Sequence, residues 1–262
     1  MMKRVFPLLI ALALTMITLG ALASLPADIW TDWRPATCLT HGCFCEAPND
    51  GNPIRQMANT VSSLGYIFSG IAALTLSKKT QRFSFGHAAI FGASSMTIGA
   101  GSAFYHASLT FAGQFFDVLG MFMLATFMLT YAFERLWDLR FVTTFAIYLV
   151  IVLLLSALQI VLPDTRRFVF AAVLLVALFF EARYRRRKTP VIAVDKLRLG
   201  LALLAVAYGV WMLDTARIFC LETSLVQGHA VWHILGAASV WLTARYYASE
   251  AVALKLAPMR SV

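Results

Sequence analysis

The sequence has little charge. Asp, Glu, Lys and Arg together supply 13% of its 262 residues while 60% are apolar, and that polar share cannot coat a soluble globule of this size. The composition therefore excludes a soluble fold and describes a membrane protein. Acidic residues are the scarcer sign, 13 against 22 basic ones. Internal repeats, low-complexity tracts and linkers that would mark off a second domain are missing too, which leaves one integral unit. Cysteine is limited to positions 38, 43, 45 and 220, all outside the apolar runs. No thiolate is thus on hand within the membrane to complete a metal cage.

Apolar runs fall at about residues 5–24, 57–77, 85–106, 112–133, 141–162, 167–182, 197–213 and 228–246. Each approaches the ~20 residues a helix needs to cross ~30 Å of hydrocarbon. The predicted fold is all-α, an integral membrane seven-helix bundle preceded by an N-terminal hydrophobic segment. That first run follows Lys3 and Arg4 and ends in Ala21-Leu22-Ala23 before Ser24, so it reads either as a signal peptide or as an additional transmembrane anchor. Both readings leave residue 25 onward on the same side. The expected division is 1–24 for that segment, 25–56 for an extracytoplasmic stretch, 57–250 for the seven-helix domain and 251–262 for a cytoplasmic tail.

Basic residues set the orientation. With the N-terminus inside, 17 of the 22 Lys and Arg fall in inner segments, and only Arg34, Arg55, Arg166, Arg167 and Arg217 fall outside. This is the bias expected of a multi-pass protein. The run "RYRRRK" at 183–188 then faces anionic lipid headgroups, not nucleic acid.

Ionisable residues inside apolar helices are costly and are the first functional candidates. Ser102 and His106 share a helix face near the outer end of the third span, counting the bundle's precursor segment as the first, and Asp117 opens the fourth span at the same depth. The last span begins at that outer end with His229 and His233, four residues apart, and Asn59 and Ser63 open the second span there as well. His87, near the inner end, and His41, in the outer loop, read as ordinary packing and loop histidines. Three imidazoles at one level suit a zinc ion with one position left to water, since a structural zinc would take a fourth protein ligand. In that arrangement Asp117 orients or deprotonates the water and Ser102 donates to a developing oxyanion, in the hydrolysis of a lipid amide or ester. Two other classes remain open. One is a receptor-like or transport-like bundle with a purely structural metal; the other is a haem protein using His106 with one of the later pair, because His229 and His233 lie on one helix face and cannot ligate opposite sides of a macrocycle.

The blocks "CEAPND" at 45–50, "ANTVSSLGYI" at 58–67, "GAGSAFYHASL" followed by "QFFD" within 99–117, "WMLDTARIFC" at 211–220 and "GHAVWHILGA" at 228–237 resemble the alkaline ceramidase family, a branch of the seven-helix membrane hydrolases that includes the adiponectin-type receptors. The resemblance implies that His106, His229 and His233 hold zinc, that Ser102 and Asp117 assist, and that the reaction cleaves the amide between a fatty acid and a sphingoid base. It implies a disulfide between Cys45 and Cys220; Cys38 and Cys43 are placed to form a second, short-loop bridge or to remain free thiols. Trp211 and Asp214 are expected to hold the zinc helices in register.

This chain departs from the family in two places. Family members commonly bind calcium through an acidic cluster, for which the candidates here are Glu46, Asn49, Asp50 and Gln56; yet Gln56 stands where a Glu is expected and Cys43 where an Asp is. Calcium prefers several carboxylate oxygens. The added N-terminal segment is unlike the eukaryotic members and suggests a bacterial inner-membrane relative with its site facing the periplasm, whose natural substrate is ceramide or another N-acyl lipid.

Overall fold

A computed structural model describes residues 2–39, 42–77 and 82–251, with side chains from residue 6 onward. His41, Lys78, Lys79, Lys255 and Arg260, and the tail from 252, lie outside the described residues. Among the described residues the main regular elements are α-helices, joined by turns and irregular stretches: α1 (Met2–Ala23), α2 (Met57–Ser63), α3 (Gly65–Leu74), α4 (Phe85–Ser108), α5 (Phe111–Trp137), α6 (Phe141–Val161), α7 (Arg166–Lys188), α8 (Val194–Thr215) and α9 (Gly228–Tyr247). Each apolar run of the sequence becomes a helix, except that the run at 57–77 becomes two. Five of the resulting rods, counting α2 with α3 as one, are long and apolar enough to cross a bilayer, the N-terminal helix among them. The protein is a membrane helical bundle.

The break between α2 and α3 has a local cause. Thr60, Ser62 and Ser63 turn their hydroxyls back onto the carbonyls of Gln56, Asn59 and Thr60, which competes with the helical ladder. The ladder gives way at Leu64, whose amide reaches Val61 in a tighter i→i+3 bond of 3.2 Å. The two pieces still run through the bundle as a single span.

Helix starts are fixed by side-chain caps. Thr110 accepts from the Gly113 amide at 3.1 Å to start α5, and Ser84 with His87 forms a reciprocal capping box on α4. His87 also stands 2.9 Å from Glu134, so it serves the end of the bundle away from His106. In the packing, α5 is central and touches α4, α6 and α7, while α9 packs on α8, α3 and α2. Helix α1 lies outside, resting on α3 through the buried Ala11. Helices α7 and α8 are consecutive in sequence but make no extended packing with each other.

The end of the bundle away from His106 is closed by a buried ionic knot. Arg135 is fully buried; it pairs with Glu181 and, at 3.1 Å, with Glu250, and lies over the rings of Tyr131, Tyr184 and Tyr247. Tyr246 and Tyr184 donate to Glu181 and Glu250 respectively, so both carboxylates are shared between a cation and a phenol. These contacts bind α5, α7 and the segment after α9 together. Removing one partner of such a set leaves buried charge uncompensated, at a cost of about 3–5 kcal/mol. Arg135→Met is therefore expected to lower the thermal midpoint in detergent strongly, whereas Lys188→Met, at an exposed pair with Asp138, should change it little.

Candidate metal centre

Two helix ends, the last turn of α4 and the start of α9, meet at the other pole. His106 comes from the last turn of α4, and His229 and His233 come from the first two turns of α9. All three are buried, and one candidate ligand nitrogen from each lies within 4.8 Å of the others. Their ring centroids are 4.5–5.0 Å apart. Among the described residues this is the one group of three or more His, Cys, Asp or Glu close enough to hold an ion.

The surrounding hydrogen bonds choose the tautomers. Gln56 donates through Nε2 to the Glu46 carbonyl, which leaves Oε1 to accept from His106 Nδ1 at 2.8 Å. The Ser62 hydroxyl donates to the Asn59 carbonyl and so accepts from His233 Nδ1 at 2.9 Å. In both rings the proton sits on Nδ1 and Nε2 carries the lone pair, the state a metal ligand needs. His106 Nε2 and His229 Nδ1 are buried without any hydrogen-bond partner. Buried orphan nitrogens are expensive, and an ion shared among the rings is the group that would satisfy such a donor set. Both polar atoms of the fully buried Asn59 side chain are orphaned beside them.

Ser102 lies one turn before His106, and its hydroxyl reaches His233 Nε2 at 3.3 Å. Asp117, from the start of α5, lies near the same hydroxyl. That meeting requires α4 and α5 to touch backbone to backbone. A Cβ on Gly101 would fall 2.5 Å from the Phe116 carbonyl and 2.7 Å from the Asp117 amide, so only glycine permits it.

Asp214 holds α9 in place. Its Oδ1 accepts from the His229 amide at 3.0 Å, satisfying a free N–H at the start of that helix, and its Oδ2 accepts from the Cys45 amide at 3.1 Å. Gly228 makes room for this, since a Cβ there would meet the Asp214 carboxyl at 3.0 Å. Cys45 is joined to Cys220, and Cys38 to Cys43. Trp211 lies farther out, packed near Tyr208 and Trp232 with the Arg167 guanidinium over its ring.

The four residues considered for calcium have other partners in this structure. Glu46 spends both carboxylate oxygens on the Ala58 and Asn59 amides, where it caps α2, and burial holds its carboxyl above the usual range despite those two bonds. Gln56 is occupied at both ends, Asn49 accepts from Gly51 in a local turn, and Asp50 is exposed beside Arg55. Two other contacts were not visible in the sequence. Ser62, three residues after Asn59 on α2, reaches His233 with its hydroxyl, while the Ser63 hydroxyl is taken by the Thr60 carbonyl. Phe44, from the segment before α2, lies against His106 and His229 at centroid distances of 4.8 and 4.0 Å.

Three buried imidazoles, with a serine and an aspartate near them at one pole of a membrane bundle, form a group that could hold a metal ion. The ceramidase family model matches residues 44–256. The chain belongs to that family, which makes it a hydrolase acting on the amide bond of ceramide. No curated protein matches it.

If Gln56 sets the His106 tautomer, Gln56→Ala should weaken retention of a divalent metal by about 10–100-fold, the usual cost of losing an outer-shell partner. Metal content measured after graded chelator treatment tests this.

Proposed function

We propose that the protein is an intramembrane zinc amidase that hydrolyses the N-acyl bond of ceramide or a ceramide-like lipid, with residues 57–250 as the catalytic domain. The observation that carries this reading is the convergence of His106, His229 and His233 with Ser102 and Asp117. Zinc held by three neutral imidazoles supplies a Lewis acid that brings the pKa of water to about 7 and polarises a carbonyl. Asp117 takes a proton as a water oxygen bonds to the amide carbon, and the Ser102 hydroxyl donates to the oxygen that gains charge. As the C–N bond breaks, Asp117 passes its proton to the leaving nitrogen, and a fatty acid and an amine result. Asn59, whose buried side chain has no partner, is positioned to orient the substrate or its water.

The site faces the extracytoplasmic side in this reading, consistent with a periplasmic face of a bacterial inner membrane. Both disulfides lie at the histidine pole, which requires an oxidising compartment. The basic ends of α5 and α7 lie at the opposite pole.

Substrate arrives from the lipid. Helices α7 and α8 leave a seam between them, and the turn joining α8 to α9 displays Phe219 at 94%, Leu225 at 86% and Val226 at 78% exposure. Apolar exposure of this extent is stable only in hydrocarbon. Phe219→Trp in lipid nanodiscs is expected to emit at short wavelength and be quenched by brominated acyl chains; quenching by aqueous iodide alone would place the turn in water.

Purified protein should release fatty acid from short-chain ceramide. Asp117→Asn is expected to lose about 10²–10⁴ in kcat, the range for a general acid–base group, while keeping its metal. His233→Ala should lose metal and turnover together. Turnover that persists in the metal-free variant rejects the mechanism.

A further inference from the structure

The tripeptide Cys43-Phe44-Cys45 is stapled at both ends. Cys43 is bonded to Cys38 and Cys45 to Cys220. The segment carrying it lies across the histidine pole like a strap. On one side the Ala36 amide donates to the Leu109 carbonyl at 3.0 Å, and Phe111 returns a bond of 2.8 Å to Arg34. On the other, the Ala47 amide donates to the Glu222 carbonyl at 3.1 Å and the Cys45 amide to Asp214. Between these anchors Phe44 turns inward, 7% exposed, with its ring on His106, His229 and Tyr105.

We propose that Phe44 is a fixed aromatic lid that shuts the outer, water-facing side of the histidine site, and that the Cys38–Cys43 bridge is its second hinge pin. The lid is a positioning and shielding residue; it touches no reacting atom. Its position follows from chain connectivity. A residue flanked by two half-cystines bonded in different directions has almost no freedom to swing, so its ring stays against the imidazoles without needing a deep pocket of its own. Closing that face denies bulk water and soluble amides direct access to the histidines, and leaves the lipid side as the open approach. A low-polarity wall there also strengthens electrostatic interactions inside the site.

This inference rests on the histidines forming the site proposed above, and its test is made independent of metal and of turnover. Metal-stripped protein in nanodiscs is treated with the water-soluble imidazole reagent diethylpyrocarbonate, and modification of each histidine is followed by peptide mass spectrometry. His229 in the wild type is expected to be protected. In Phe44→Ala it should react faster by on the order of tenfold, as a local opening removes its cover; Phe44→Leu should restore much of the protection, and the Cys38→Ser/Cys43→Ser double variant should fall between. His87 at the opposite pole is the internal control, since general loosening would expose it equally. The lid is supported if His106 and His229 gain reactivity while His87 does not. It is overturned if His229 reacts at the same rate in wild type and Phe44→Ala, or if His87 gains in parallel. A wild type that protects its histidines yet binds no metal would count against the amidase reading and leave the lid standing.

Discussion

The structure depends on burying three imidazoles close together while fixing which of their ring nitrogens carry protons. Buried histidines are tolerable when their polar atoms are engaged. Here Gln56 and Ser62 take the Nδ1 protons of His106 and His233, and the Nε2 lone pairs turn toward a common point. Everything nearby serves that arrangement. Glu46 caps α2 and so fixes Gln56 and Ser62; Asp214 caps α9 and so fixes His229. Two acidic residues act on helix amides, and through them on the histidines, without either carboxylate entering the site.

The two poles of the bundle solve opposite electrostatic problems. At the far pole a permanent cation, Arg135, is neutralised by Glu181 and Glu250 and ringed by tyrosines. There the guanidinium and both carboxylates find partners. At the histidine pole the polar atoms of Asn59, His106 and His229 are left without partners. Such orphans persist only where the surrounding packing holds them in place, and Gly101 and Gly228 show how close that packing is.

Much of this was legible in the sequence, for definite reasons. The eight apolar runs predicted the helices because the bilayer sets one length for all of them. The spacing of Ser102 with His106, and of His229 with His233, predicted shared faces because both pairs sit inside unbroken helices. Asn59 and Ser63 both lie on α2, and the structure adds a neighbour that their spacing did not single out: Ser62, whose hydroxyl reaches His233. Phe44 was invisible for another reason: its place is set by two disulfides and two flanking loops, and hydrophobic periodicity carries no trace of those constraints.

The departures from the family pattern become coherent at this point. A carboxylate at position 56 would accept from His106 but could not also donate to the Glu46 carbonyl, and it would add a second buried anion a few residues from Glu46. An amide does both jobs while neutral. Likewise an aspartate at position 43 would need a cation to tie it down, whereas Cys43 is tied covalently to Cys38. In this chain the carboxylates nearby already have partners, Glu46 on its helix amides and Asp50 beside Arg55 in solvent. The segment ahead of α2 is thus braced at the histidine pole by a neutral amide and a cystine, which hold their geometry without a charge to compensate.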